Sequence, residues 1–297
     1  MMTQSAVPRS TRRTVLCATD LSFRCDRALE RALLIARQWD AKLVLLTVVD
    51  SPNESAGRGY PWCLTSLEAR REAEQRLRRE VVASDVDVSF RVGEGSVAPA
   101  IVHAADEERC DLVVLGVSKS GAFRRLFLGS TVDSLVRRSP IPVLVVQNRA
   151  RGPYGSIVVP SDFQAPSRRA LETAADFFPS VQLSLFHAFH IPYSGIADVP
   201  LQKAEVRRRD EILAAHRTFI GESSLGSDVA RKIRPVIKYG PPAPLLSRYV
   251  AEEGVDLVAL ATHARPPLLD FALSGVAQSI LEEVRTDVVV VSEGART

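Results

Sequence analysis

The sequence predicts an α/β protein of two tandem domains, each a doubly wound, Rossmann-like parallel sheet of five strands. The first observation is an internal repeat: apolar runs ending in aspartate recur at Thr14–Asp20 and Ser156–Asp162. The second is a further matched pair of runs, Asp111–Gly116 and Asp256–Ala261, at nearly the same offset. A repeat this long is too large for a solenoid unit, so it marks two whole domains of one fold.

The length of 297 residues fits two domains, since about 150 residues per domain is usual. We expect them at 12–148 and 154–293, joined by a linker where Arg, Gly and Pro collect. The composition, 46% hydrophobic and 25% charged, is that of an ordinary globular protein. Each half can therefore bury a core of its own.

Charge and hydropathy argue against two classes of partner. The net charge of +3 is slight for this length and gives no support for a nucleic-acid partner or a membrane surface. No apolar stretch approaches the ~18 residues that a membrane span needs. The first residues carry positive charge without the apolar segment of a secretory signal. We expect neither a membrane nor a nucleic acid as partner.

The cysteines indicate a reducing compartment. All four lie in the first half, at Cys17, Cys25, Cys63 and Cys110, and none forms a Cys-x-x-Cys pair. The pattern is typical of reduced thiols in a cytoplasmic protein. Redox sensing by Cys25 or Cys63 is the alternative.

The strands of the first half are identified by their apolar runs. Thr14–Thr19 and Lys42–Val49 are continuous, as in strands covered on both faces, and Val86–Val92 alternates. Asp111–Leu115 and Pro142–Val146 complete the set.

The helices of the first half follow from apolar residues at helical spacing and from start signals. Thr65-Ser-Leu-Glu68 has the spacing of a capping box, and Ser96 is a candidate N-cap. The helices are predicted at Arg27–Asp40, Thr65–Ala83, 97–108 and Gly129–Arg138.

The second half repeats this order of elements. Its strands are predicted at Ile157–Val159, Gln182–His187, Ile233–Lys238, Leu257–Leu260 and Val288–Val291. Its helices are predicted at Ser167–Phe177, Lys203–Ile220, Pro244–Glu253 and Ser274–Glu283.

The alternation of strands and helices places a binding crevice. It implies βαβ units and a parallel sheet with helices on both faces. Ligands of such folds sit beyond the carboxyl ends of the strands, at a topological switch point. Asp20, Val49 and Gly116 all lie at the carboxyl ends of predicted strands. We therefore expect these three residues to line one crevice.

The loop from Gly116 to Thr131 has the chemistry of a phosphate cradle. Gly129, Ser130 and Thr131 offer N–H groups and two hydroxyls at a predicted helix N-terminus, which favours phosphate. The loop also carries Lys119, two arginines and no acid. A glycine-bearing surface loop with a serine cap is the equal alternative.

Several standard motifs are missing from the sequence. It has no Walker A motif, and the turn after the first strand, Asp20–Asp26, has no glycine. It shows neither a Ser-His-Asp arrangement nor a His-Glu-x-x-His motif. A slow ATPase or autophosphorylation activity is compatible with the loop, but no catalytic group argues for it.

Together these features resemble the universal stress protein family. The resemblance rests on the aspartate after strand one, the Gly-x-x-Gly-x9-Gly-Ser/Thr spacing after strand four, and the following Pro-Val-Leu-Val-Val strand. It covers residues 12–293, so the chain looks like a tandem member. The resemblance implies that Asp20 and Val49 hold adenosine. It also implies that Gly116, Gly129 and Ser130 hold the phosphates of ATP, with Mg²⁺ or Mn²⁺ bound through them.

The chain departs from the family pattern at the second glycine, which is Lys119. Lysine is disfavoured where the backbone needs a positive φ, and Gly121 could supply the flexibility instead. Lys119 either pairs with a terminal phosphate or is a surface lysine. The predicted cofactor-binding set is Asp20, Val49, Gly116, Lys119, Gly121, Gly129, Ser130 and Thr131.

The second copy of the loop is degraded. Ala261, Ala264 and Ser274 replace the motif glycines, two prolines follow, and Asp270 stands where the first half has an arginine. An acid there would repel a phosphate. We predict that the second half lost triphosphate binding, with Asp162 capping its turn. A ligand without phosphates near His187 and His263 is left open.

Three functions remain in view. They are a nucleotide-binding stress-response regulator, a nucleotide-independent module for dimerisation and partner docking, and a slow ATPase. The last strand of each half has high β-propensity and an edge that seeks a partner. Pairing these two edges would make an internal pseudo-dimer. Homodimerisation of the whole chain is a separate possibility.

Overall fold

The computed structural model describes residues 12–22, 25–49, 66–81, 85–117, 130–190, 201–262 and 275–292. In these residues each half is a βα alternation, with its helices lying on both faces of the sheet. The first half consists of β1 Thr14–Ala18, α1 Asp26–Trp39, β2 Lys42–Val49, α2 Ser66–Glu80, β3 Val88–Glu94, α3 Val97–Glu107, β4 Leu112–Gly116, α4 Ser130–Arg138 and β5 Val143–Val146.

The second half repeats this order with one additional helix. It consists of β6 Ser156–Pro160, α5 Ala165–Phe177, β7 Gln182–Phe189, α6 Leu201–Gly221, α7 Ser227–Lys232, β8 Arg234–Tyr239, α8 Pro242–Glu253, β9 Leu257–Thr262, α9 Gly275–Glu283 and β10 Asp287–Ser292.

The strands form one continuous sheet of ten, in the order β3-β2-β1-β4-β5-β10-β9-β6-β7-β8. Within each half the neighbouring strands are parallel. The second and third strands extend the sheet to one side of the first strand, and the fourth and fifth extend it to the other. This is the doubly wound topology that the repeat predicts, with its switch point at β1/β4 and at β6/β9.

The two halves join through their last strands, which confirms the predicted pseudo-dimer contact. β5 and β10 are antiparallel, with Leu144 opposite Val289. Both side chains are about 1% exposed. The edges that each half would present alone are therefore paired inside the molecule.

The apolar core has two layers, one on each face of the sheet, and both cross the junction. Alternate residues of a strand face opposite layers. On β1, Leu16 belongs to the layer under α3 and α4, whereas Val15 and Cys17 belong to the layer under α1. Each layer includes side chains of both halves. Burial is thus continuous from one half to the other.

Each predicted element is present, and most bounds agree within two residues. Helix α7 was not predicted because its six residues have no buried member and so no apolar stripe. Ser96 occupies the N-cap position of α3 with extended backbone, but its hydroxyl makes no capping hydrogen bond. Ser96 is thus the N-cap residue that the sequence predicts, while Thr65 of the predicted capping box lies outside the described residues.

No helix among the described residues is both long enough and apolar enough to cross a bilayer.

Candidate functional site

The strand register brings the predicted residues to one edge of the sheet. Ala18 lies opposite Leu46 of β2 and Leu115 of β4. Asp20, Val49 and Gly116 follow these positions by one to three residues, at the carboxyl ends of their strands. Asp20 is exposed, whereas Val49 and Gly116 are half-buried. The geometry agrees with a shared crevice.

The turn after β1 is built by side chains rather than by glycine. The Thr19 hydroxyl accepts the Leu21 N–H at 3.0 Å, and Asp20 Oδ1 accepts the Ser22 N–H at 3.0 Å. Leu21 takes a left-handed backbone conformation, with φ of 59°, which a non-glycine residue adopts only at a cost. Short side chains that bond to backbone two residues on are a common way to hold such a turn.

The turn after β6 has the same architecture. Ser161 Oγ accepts the Phe163 N–H at 2.9 Å, and Asp162 Oδ1 accepts the Gln164 N–H at 3.0 Å. Phe163 has a φ of 63°. The predicted capping role of Asp162 is confirmed. Sequence reasoning missed the left-handed residue in both turns, because leucine and phenylalanine are not signals for it.

Asp20 is held as a carboxylate by its neighbours. Partial burial raises its pKa, but hydrogen bonds from Ser22 and from the Cys25 thiol, at 3.1 Å from Oδ1, outweigh burial and leave the pKa below its ordinary value. The group is therefore ionised at neutral pH and accepts hydrogen bonds. It suits a ligand that presents hydroxyl donors.

The same contact makes Cys25 a poor redox sensor. Burial and the adjacent Asp20 raise the pKa of the Cys25 thiol to about 11. Reactive cysteines have lowered pKa values, because the thiolate is the nucleophile. Cys17 and Cys110 are buried free thiols, and burial raises the pKa of Cys110 to about 12. Cys63 lies outside the described residues.

The Val49 carbonyl accepts the Gly95 N–H at 3.0 Å, where Gly95 has a φ of 86°. The Phe189 carbonyl accepts the Gly240 N–H at the same distance in the second half. A carbonyl has two lone pairs, so one remains for a ligand. Glycine is favoured at position 95, because a φ of 86° is strained for a residue with a side chain.

The loop predicted to bind phosphate is described only at its two ends. Helix α4 begins at Ser130, and Thr131 is half-buried in its first turn. Val132, the residue after Thr131, is buried in the core layer that also contains Leu115. Lys119, Gly121 and Gly129 lie outside the described residues.

The second half contains a cavity of about 350 Å³ at the corresponding edge. Its walls come from the ends of β6, β7 and β9 and from the starts of α8 and α9. The lining residues are Pro160, Ser161, Asp162, Ser167, Phe186, His187, Ala188, Pro242, Leu260, Ala261, Val276, Ala277 and Ile280.

His187 is fixed within this lining. Its Nδ1 lies 2.8 Å from the Ser161 carbonyl oxygen, and its ring stacks on Phe163 with centroids 4.5 Å apart. His190 makes an edge contact with Tyr239 instead. Among the described residues, no cluster of His, Cys, Asp and Glu could hold a metal ion.

This fold defines a class: a tandem α/β protein of two doubly wound halves, each with a crevice at the carboxyl edge of its strands. The family model described as "Universal stress protein family" matches residues 11–147 and again 153–292. The chain therefore belongs to the universal stress protein family, as the sequence resemblance predicts.

Relatives and solved structures agree with this assignment. A Staphylococcus aureus (strain USA300) protein named as a universal stress protein is 33% identical over 159 residues, which are 52% of this chain and 90% of that one. A Pseudomonas aeruginosa UCBPP-PA14 structure named likewise has a TM-score of 0.64 at 22% identity, covering 95% of this chain and 94% of that one. One from Archaeoglobus fulgidus DSM 4304 has a TM-score of 0.61 at 15% identity, covering 95% and 99%. The two structures establish the shared fold.

Proposed function

We infer that the chain is a stress-response regulator whose first half binds ATP, while the second half serves as its structural partner. The observation that carries this proposal is the Thr19–Leu21 turn. It holds an exposed, ionised Asp20 at the carboxyl edge of the sheet, beside the ends of β2 and β4. A carboxylate that accepts hydrogen bonds suits the hydroxyls of a ribose.

The start of α4 supplies the complementary chemistry for phosphates. Helix α4 begins at Ser130, so its first N–H groups have no partner within the helix, and Thr131 adds a hydroxyl in the first turn. Such an end favours anions through its unpaired N–H groups and its dipole. The family resemblance assigns Gly116, Gly129 and Ser130 to the phosphates, and Lys119 and Gly121 belong to the same loop. A divalent metal would be bound through the phosphates.

Calorimetric titration of the full chain with Mg-ATP tests the proposal. We expect one ATP per chain, because the second half has lost the motif glycines of this loop and carries Asp270 where the first half has an arginine. Asp20→Ala should weaken binding by about 10-fold or more, the usual effect of losing a hydrogen bond to a charged group. Asp210→Ala, on the exposed side of α6, is the matched control.

Two further variants refine the assignment. Lys119→Ala weakens ATP binding if that lysine pairs with a phosphate, and an unchanged affinity identifies it as a surface lysine.

ADP release by the wild-type chain above that of a Ser130→Ala, Gly129→Val variant would make the protein a slow ATPase. No heat at millimolar ATP would overturn the proposal.

A further inference from the structure

We propose that a cavity at the linker between the halves binds a small phosphate monoester that also carries hydroxyl groups, such as a sugar phosphate. The walls of this linker cavity are the linker at 148–153, the turn at 254–256, the start of β10 at 286–287, and Arg31 of α1. Its volume is about 440 Å³, within the roughly 300–1,000 Å³ of small-molecule sites.

The linker cavity is distinct from the crevices at the carboxyl edges of the strands. In the second half it adjoins the amino ends of β9 and β10, at the opposite edge of the sheet from the cavity that His187 lines. None of its lining residues belongs to the set predicted to bind ATP. Both halves and the linker supply walls, so neither half could form this site alone.

Buried side chains fix the linker wall of the cavity. Arg31 is 5% exposed, and its Nη1 donates to the Gly152 carbonyl at 2.8 Å. Asp287 is 1% exposed, and its Oδ1 accepts the Asn148 N–H at 3.0 Å. The backbone that carries the exposed linker side chains is therefore held in place before a ligand arrives, which reduces the entropy lost on binding.

The linker cavity has an excess of positive charge. Its charged lining residues are three arginines, Arg31, Arg149 and Arg151, and two aspartates, Asp256 and Asp287. Arg31 Nε lies 3.4 Å from the Asp287 carboxylate, so these two charges offset each other. Arg149 and Arg151 are exposed, and neither side chain has an ion pair or hydrogen bond within the described part of the chain. Two guanidinium groups thus remain against one carboxylate.

Two arginines that line one cavity suit a phosphate group. Ala150 lies between them in sequence but does not line the cavity, so Arg149 and Arg151 reach the same space. A guanidinium presents a planar fork of donors that matches two oxygens of a phosphate. A phosphate monoester has three terminal oxygens and about 1.5–2 negative charges at neutral pH. It can therefore engage both forks, whereas a carboxylate has only two oxygens and one charge.

The remaining polar groups of the lining favour hydroxyls on the body of the ligand. Asp256 Oδ2 accepts the N–H groups of Gly155 and Ser156, at 2.9 and 3.1 Å. Asp256 Oδ1 has no hydrogen bond to any described residue. The Asn148 amide donates to the Arg285 carbonyl at 3.1 Å, which leaves its oxygen as an acceptor. Both acceptors can bind the hydroxyls of a sugar.

Calorimetric titration of the full chain with three probes tests the proposal. Glucose 6-phosphate should bind once per chain, with a dissociation constant of about 1 mM or lower. Glucose should not bind measurably, because it lacks the charged group. Inorganic phosphate should bind about fivefold or more weakly than glucose 6-phosphate, because it has no body to reach the Asp256 and Asn148 acceptors.

A pair of double variants locates the binding. Arg149→Ala, Arg151→Ala should weaken glucose 6-phosphate binding about tenfold or more, since hydrogen bonds to a charged group are lost. Arg207→Ala, Arg209→Ala is the matched control, because it removes two exposed arginines of the same spacing from α6. The control lowers the net charge equally and should change the affinity by about twofold at most.

Three results would overturn the proposal: no binding of glucose 6-phosphate at millimolar concentration, equal affinity for glucose or inorganic phosphate, or equal weakening by the two double variants. All four substituted arginines are exposed, and circular dichroism verifies that both variants fold. Asp20→Ala, the variant that tests ATP binding, should leave glucose 6-phosphate binding unchanged. Failure of the two proposals is therefore distinguishable.

Discussion

At the residue scale, a buried polar cluster ties the linker to both halves. Asp287 is 1% exposed, and its carboxylate accepts the N–H groups of Gln147 and Asn148 and the Tyr154 hydroxyl, all within 3.0 Å. Arg31 Nε lies 3.4 Å from the same carboxylate, and its guanidinium stacks on Tyr154 at 4.0 Å. Buried charges of this kind are tolerated only when they are paired.

This cluster holds the linker in place through side chains of α1. Arg31 Nη1 donates to the Gly152 carbonyl, and Arg27 Nη1 donates to the Gln147 carbonyl, each at 2.8 Å. Helix α1 begins six residues after Asp20, so the helix next to the proposed ATP site also clamps the connection between halves. Its contacts make the linker an ordered part of the structure.

The titration of Tyr154 gives a pH prediction. Burial, and next the Asp287 carboxylate, raise the pKa of Tyr154 well above 10. The folded state therefore holds this proton more tightly than the unfolded chain does. The resulting stability is fully present below the unfolded pKa of about 10 and is lost as the pH rises towards the folded value.

We expect Tyr154→Phe to lower the free energy of unfolding by about 1–2 kcal/mol at pH 8, through the lost hydrogen bond. Above pH 10 the gap between the two proteins should narrow by up to about 1.4 kcal/mol per pH unit, because only the wild type loses stability through this group. Urea unfolding at pH 8, 10 and 11 measures the gap. A constant difference would contradict the assignment.

At the element scale, the junction between β5 and β10 is where the fold becomes one unit. Val288, Val289 and Val290 pair in antiparallel register with Val145, Leu144 and Val143. Each of these side chains is at most 2% exposed. Strand β10 is paired on both sides, by β5 and β9, and its side chains are buried on both faces of the sheet. A charged side chain there would be buried without a partner, which costs free energy.

Val289→Lys should therefore lower the free energy of unfolding by about 3 kcal/mol or more, since it buries an unpaired ammonium at the junction. Val206→Lys is the matched control, because Val206 is 62% exposed on α6 and surface changes cost about 0.5 kcal/mol at most. Urea unfolding measures both variants. Equal effects would show that the junction contributes little.

At the scale of the whole molecule, the two halves share one sheet and two continuous core layers. Contacts outside the sheet add to this. Trp39 Nε1 donates to the Phe177 carbonyl at 2.9 Å, and Arg13 lies over the Trp39 ring at 4.7 Å. Such continuity is a reason to expect two repeats to unfold together.

We expect a single cooperative unfolding transition. The chain has two tryptophans, so a Trp62→Phe variant leaves Trp39, at the contact between halves, as the only tryptophan reporter. Its fluorescence and the far-ultraviolet circular dichroism should give the same urea midpoint. Separate midpoints would show that the halves unfold independently.

Much of this architecture follows from local sequence pattern. Continuous apolar runs such as the one in Lys42–Val49 predicted the strand bounds within two residues. A strand that is buried on both faces is apolar at most of its positions, rather than at every second one. The aspartates after β1 and β6 predicted the binding edge, because parallel strands bring their carboxyl ends together. The repeat predicted two domains and the pairing of their last strands.

Other features depended on contacts between distant residues, which no local pattern encodes. Leu21 and Phe163 take left-handed backbone because hydrogen bonds around them hold the turn, whereas their residue types argue against it. The bond from His187 to Ser161 defines its tautomer, and Asp287 is paired by residues more than 130 positions away. The sequence by itself determined the elements, their order and the chemistry that each half retains. Only the tertiary structure decided which acceptors surround the second cavity and how the linker is held, because those are properties of packing across the chain.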